Sequence, residues 1–140
     1  MLSSEIKVRF AGNADFDFLN PEVYIAAEIV SRKIEWREFI VAEKQDIRVG
    51  FLQFEYLWSL VPFIALIRVL PEYRRIGVGK KLLEFNENFL REKDCKEIYS
   101  SSQADEPEPQ EWHRHMGFKE CGMIAGINNG IGEIFFRKRL

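Results

Sequence analysis

Between residues 71 and 85 the sequence runs "PEYRRIGVGKKLLEF", with two glycines and four cations close together. Gly77 and Gly79 lack the Cβ atoms that would keep a ligand away from the backbone. The first turn of a helix presents unpaired N–H groups and the positive end of the helix dipole, so bare amides beside Arg74, Arg75, Lys80 and Lys81 make an anion site. No carboxylate falls between residues 73 and 83 to oppose it. A phosphate group is the ligand such a segment fits.

Three phosphate motifs compete for this segment. A Walker A loop requires glycine at position 74 and a hydroxyl residue at 81, where the chain has Arg74 and Lys81, so nothing would hold a magnesium ion. A dinucleotide fingerprint requires a third glycine at position 82, which is Leu82. What remains is Arg-x-x-Gly-x-Gly, "RRIGVG", entered from a long apolar run through Leu70 and Pro71. That proline holds Leu70 extended and marks where the strand stops. The alternative is a solvated basic turn, but two glycines at a helix start lower its propensity with no return other than a ligand.

The elements that must position this loop follow from periodicity. Residues 5–10, "EIKVRF", alternate as a strand. "NADFDFLN" reads as irregular. Asn20 and Pro21 then open a helix whose stripe of Val23, Ala27, Val30 and Ile34 ends near Ile34. Strands follow over Glu38 to Glu43, Ile47 to Trp58 and Val61 to Val69. The last, "VPFIALIRV", is apolar enough to predict cover on both faces. A helix from near Ile76 buries Val78, Leu82, Phe85 and Phe89, with Lys80–Glu84 and Glu87–Arg91 paired outside. "EIYSS" predicts a fifth strand, "PEPQEWHRHMGF" a short helix closed by Gly117, and two strands flank "INNGIG". The order β-α-β-β-β-α-β-α-β-β predicts an α/β (α+β) domain spanning 1–140, with a mixed sheet and helices on both faces.

The whole chain bounds these readings. Its 140 residues are 46% hydrophobic and 30% charged, which suits one globular domain with one core. The formal net charge of −2 argues against nucleic acid as partner. No apolar run reaches the ~18 residues of a membrane span, and "MLSSEIKVRF" lacks a signal-peptide core, so the expected location is the cytoplasm and no membrane partner is expected. Cys95 and Cys121 lack ligand spacing and read as reduced thiols near the sheet. The two histidines and scattered carboxylates make no metal set.

On "RRIGVG", its strand context, the full element order and the segment "WHRHMGF", the chain resembles the GNAT superfamily of acyl-coenzyme A dependent N-acyltransferases. The family signature is Gln or Arg, two residues, Gly, one residue, then Gly or Ala. The second segment is similar to the family's aromatic-Tyr-x-x-x-Gly-Phe. The resemblance implies a mostly antiparallel sheet of about seven strands, splayed between strands 4 and 5. It also implies acetyl-coenzyme A as cosubstrate and no metal.

Carried over residue by residue, the motif begins at Arg74, and the amides of Arg75, Ile76, Gly77, Val78, Gly79 and Lys80 hold the pyrophosphate. The pantetheine arm pairs with Ile67, Arg68 and Val69. The Val69 N–H becomes a donor to the thioester carbonyl as charge develops.

The chain departs from the family at three positions. Eleven residues before Arg74, where some members carry a basic carboxylate, stands Phe63. Glu55 on the neighbouring strand is the first candidate for the proton, beside its plain reading as a solvated or ion-paired residue, and Glu106 is the second. The position four residues before Gly117, commonly a tyrosine that protonates the leaving thiolate, is His113. With a pKa near ~6.5 it serves as acid or base, or as an ordinary partly buried residue. Glu106 replaces an asparagine that contacts the pantetheine.

The acceptor pocket implied by the family draws on Phe16, Phe18, Tyr56, Trp58 and Phe63, with Asp105, Glu106 and Glu108 on the approach. Aromatic walls with acidic groups suit a cationic amine on a small molecule or peptide. No serine or cysteine has a recognisable activating partner in the sequence, which favours direct attack of a primary amine on the thioester. A coenzyme-binding or sensing module without turnover is the alternative, and a homodimer is left open.

Overall fold

In the computed structural model, residues 5–140 are described. The first four, read above as part of a terminus without a signal-peptide core, lie outside them. The order is β1 (Ile6–Phe10), α1 (Phe16–Leu19), α2 (Ala27–Glu35), β2 (Phe39–Lys44), β3 (Ile47–Leu57), β4 (Val61–Val69), α3 (Val78–Glu92), β5 (Glu97–Gln103), α4 (Pro107–His115), β6 (Lys119–Ile124) and β7 (Glu133–Arg139). Seven strands pair in the order β1-β2-β3-β4-β5-β7-β6. The β4–β5 pair is parallel and is made at Phe63–Tyr99 and Ile64–Ser100. β4 runs on to Val69 beyond that pairing.

Contacts divide the chain into two compact units, residues 5–54 with 66–88, and residues 55–65 with 89–140. In the first, Phe39, Val41 and Phe51 pack with Leu19, Val23, Val30 and Ile34. β2 pairs Phe10 with Ile40, and the Phe10 ring meets Phe85 of α3 edge-on at 5.1 Å. Side chains alternate across a strand, so α2 covers the Phe39 and Val41 face and α3 covers the Ile40 face. In the second unit β5 alternates, with Ile98, Ser100 and Ser102 buried, and pairs antiparallel with β7 from Glu97–Arg139 to Gln103–Glu133.

Four expectations change. Residues covered on both faces occur in β2 and β3, where Phe39–Ala42 and Val49–Phe54 are buried. β4 buries only Pro62 and Ile64; an apolar run does not reveal which of its edges loses a neighbour. "NADFDFLN" is helical, with a 3-10 turn at Asn13–Asp15 leading into α1.

Asn20 and Pro21 begin only a 3-10 turn; Val23 is extended (φ −114°, ψ 140°), and α2 starts at Ala27. Val23 and Ile25 both reach the core from this bent, non-helical stretch, a contact that mimics a helical stripe in sequence. Glu87 is buried rather than outside α3, on the face of Leu83 and Leu90.

Candidate functional site

The basic glycine loop is built by two backbone choices. Arg75 is left-handed (φ 65°) and Gly77 has φ 92°, a region that glycine enters without steric cost. Two left-handed residues one apart turn the loop sharply, and successive N–H groups in such a turn form a concave anion nest. The first α3 bond runs from the Lys81 N–H to Gly77 O at 3.0 Å. Among the described residues, the amides of 75 through 80 meet no acceptor outside the helix. A Cβ at Gly77 would stand in open space, with no atom within 4 Å. Bare donors, open room and exposed Arg74, Arg75 and Lys80 fit a diphosphate group.

Gly50 of β3 makes this placement sterically allowed. A Cβ there would lie 2.8 Å from Arg68 O and 3.2 Å from Val78 Cγ1, so only glycine lets the start of α3 approach β3 this closely. The Leu70 N–H donates to Val49 O at 2.9 Å. N–H groups alternate sides along a strand, so the Val69 amide and carbonyl point away from β3. The Arg74 Nε donates to Val69 O at 3.0 Å. Arg74 therefore ties the loop to the strand end, and the Val69 N–H remains directed to the same open side.

In the second unit, His113 is buried at 5% exposure. Its Nδ1 lies 2.7 Å from Pro109 O; a carbonyl only accepts, so Nδ1 carries the proton. Nε2 lies 2.7 Å from Ser100 Oγ, which is 3.4 Å from Ile64 O. With the proton on Nδ1, Nε2 accepts, so the Ser100 hydroxyl donates to it. The ring stacks on Phe136 at 4.6 Å and 5° and meets Phe118 edge-on at 5.3 Å. Burial lowers the His113 pKa, outweighing the Pro109 hydrogen bond that raises it.

Both ring nitrogens are thus engaged inside the protein, and neither is free for a substrate. His113→Ala is expected to cost about 3 kcal/mol of stability by removing the short hydrogen bond to Ser100 and opening a gap on Phe136. An unchanged melting curve with lost turnover would restore His113 as a direct acid.

The Ser100–His113 pair corrects the expectation that no serine has an activating partner. Ser100 is nevertheless 2% exposed, which keeps its oxygen from any substrate. Phe63 stacks on Phe135 at 5.7 Å, and Phe18 meets Phe51 edge-on; Phe16 packs on the same core. All three rings are half-buried and have packing partners. Tyr56 is half-buried near the end of β3, and Trp58, 84% exposed, stands in the turn that follows (φ 53°).

Glu55 is half-buried on β3, and Glu106 is an exposed residue preceding α4. Ile67 and Arg68 lie beside Val69 on half-buried β4. Among the described residues, no group of three His, Cys, Asp or Glu side chains has an arrangement that would hold a metal ion, and no helix is long and apolar enough to cross a membrane.

Residues 12–118 match the model of the Acetyltransferase (GNAT) family. The chain belongs to that family. Among curated proteins, this GNAT chain is similar to an aminoglycoside N(6')-acetyltransferase type 1 of Salmonella typhimurium, with 32% identity over 81 residues, 58% of this chain and 50% of the relative. It therefore spans about half the length of the curated relatives it matches. Among solved structures, a GNAT-family acetyltransferase of Bacillus cereus superposes with a TM-score of 0.80 at 22% identity, covering 96% of this chain and 97% of that one. Arabidopsis thaliana Naa50, solved with the bisubstrate analogue CoA-Ac-MVNAL, superposes with a TM-score of 0.79 at 20% identity, covering 96% and 99%. At those identities the likeness shows that the GNAT fold is shared.

Sequence reasoning missed Gly50, Ser100 and Asp15. A glycine inside an apolar strand was a usable signal for close backbone approach. The other two had none.

Proposed function

We propose that the 140 residues form one N-acetyltransferase domain that moves an acetyl group from acetyl-coenzyme A to a primary amine by direct attack in a ternary complex. The observation that carries this reading is the nest of unpaired amides from 75 to 80, in a chain of the GNAT family. Bound there, the coenzyme would supply an acetyl group activated as a thioester. Arg75, Ile76, Gly77, Val78, Gly79 and Lys80 would hold its diphosphate through backbone N–H groups, with Arg74 bracing the loop against Val69. Ile67, Arg68 and Val69 would pair with the pantetheine arm, and the Val69 N–H would face the carbonyl oxygen as negative charge builds.

Glu55 and Glu106 are the proposed carboxylates for the amine proton. His113 is a positioning residue that ties α4 to β5 through Ser100. The acceptor is a cationic amine on a small molecule or peptide, in keeping with the aminoglycoside acetyltransferases and the peptide-bearing analogue of Naa50. The proposed compartment is the cytoplasm, where free thiols such as Cys95 and Cys121 persist. A homodimer is proposed through β6, an edge strand exposed along its whole length that a second copy can extend.

Thiol release from acetyl-coenzyme A across aminoglycosides, polyamines and peptide amino termini tests the reaction. Intersecting initial-rate lines are expected; parallel lines, or an acetylated enzyme formed without acceptor, would overturn direct attack. The engaged nitrogens of His113 favour one rival, a coenzyme-binding module without turnover. Binding of acetyl-coenzyme A with no release on any acceptor would select it.

A further inference from the structure

β4 and β5 pair only at Phe63–Tyr99 and Ile64–Ser100, although β4 continues to Val69 and β5 to Gln103. Ile64–Ser100 is therefore the last rung before the strands part, and the chain passes into the first compact unit at Leu66. Main-chain bonds alone hold such a rung weakly, because a parallel pair is the less stable kind and no hairpin turn fixes its register. Another contact must decide where this fork opens.

The side chain of the rung supplies that contact. Ser100 Oγ lies 2.7 Å from His113 Nε2 and 3.4 Å from Ile64 O, so one buried hydroxyl touches both α4 and β4. The imidazole is fixed in turn by Pro109 O on Nδ1 and by the rings of Phe136, Phe118 and Trp112. Phe136 is itself the β7 partner of Ser100. α4, β5 and β7 thus converge on the residue at which β4 departs. Past that rung the freed main-chain groups need new partners, and in the acetyltransferase reading the pantetheine arm is one of them.

We propose that the Ser100–His113 pair is the latch of the β4–β5 fork. It fixes the rung at which the strands part, and so prepares the end of β4 for the pantetheine arm of acetyl-coenzyme A. Both residues are buried and act by positioning, without touching the cosubstrate. The assignment deepens the acetyltransferase reading and rests on it for the identity of the ligand.

Calorimetric titration of acetyl-coenzyme A, with a melting curve for each protein, compares wild type, Ser100→Ala, His113→Phe and the double variant. Ser100→Ala leaves a buried ring nitrogen without its donor and His113→Phe loses the short hydrogen bond, so both should melt below wild type. The double variant removes both polar atoms, keeps a ring on Phe136 and should melt near wild type. All three lack the latch, and coenzyme affinity should fall about tenfold in each, including the double variant whose stability has returned. Its turnover at saturating coenzyme should stay within about twofold of wild type, a change in KM rather than kcat. Affinity that recovers together with stability, or equal affinity in all four proteins, would overturn the latch and leave the acetyltransferase reading untouched. Variants that lose affinity as expected, in a protein whose wild type releases no thiol with any acceptor, would instead sink the catalytic reading and leave the latch standing.

Discussion

Gly77→Val is expected to reduce acetyl-coenzyme A affinity at least 100-fold while leaving the protein folded. Two effects add. A φ of 92° places a β-branched residue in a region it avoids, at a cost of about 1–2 kcal/mol in local strain. The new side chain also projects into the open space beside the unpaired amides, where the diphosphate must approach within hydrogen-bonding distance. The strain falls on an exposed loop, so the melting temperature should drop by only a few degrees. Gly77→Ala carries much of the same backbone cost with less intrusion, and a smaller loss of affinity is expected. Coenzyme affinity in Gly77→Val equal to wild type would show that the diphosphate binds elsewhere.

The second large effect is on stability. Asp15 is 1% exposed and anchors the segment before α1. Arg9 Nη1 and Nη2 donate to it at 2.7 and 2.9 Å, the Arg48 Nε donates to Oδ1, and the Gly12 N–H donates to Oδ2 at 2.7 Å. Burial pushes its pKa up, but the Arg9, Arg48 and Gly12 hydrogen bonds outweigh that and hold the carboxyl well below the usual carboxylate range. Asp15→Ala removes the one buried anion between two arginines. The expected loss is about 3 kcal/mol, at the lower end for a broken buried pair because both arginines reach water.

For a chain of 140 residues that loss corresponds to roughly 10 °C in melting temperature. A depressed carboxylate pKa stabilises the fold fully above the unfolded value near ~3.9, and the contribution disappears as pH falls toward the folded value. Wild type should therefore lose stability below about pH 4 through this group, and Asp15→Ala should show a shallower acid limb. Parallel acid limbs would exclude Asp15 as the source.

His113 acts in a different window. Its folded pKa is lowered by burial, so its contribution is complete above ~6.5 and declines as pH falls below that value.

The glycine loop and the strand that feeds it were legible in sequence because their chemistry is local. Gly77, Gly79 and Pro71 each restrict or free the backbone at their own position, and the limits of β4 follow from its apolar run. The rest depends on which distant residues meet. Ser100 and His113 are joined only once α4 packs on β5, and Asp15 is neutralised by Arg48 from a strand far along the chain. Arg68 reads in sequence as a main-chain partner for a cosubstrate, and only the fold brings its side chain to Glu22. Glu87 obeyed the four-residue spacing of an exposed ion pair, but spacing does not say which face of a helix is covered.

The nest of amides can be observed directly. In 15N-labelled protein titrated with acetyl-coenzyme A, the Gly77 and Gly79 amide resonances should move further than any others, and acetyl-pantetheine, which lacks the diphosphate, should leave them in place. Saturating coenzyme binding that shifts neither glycine would contradict the account.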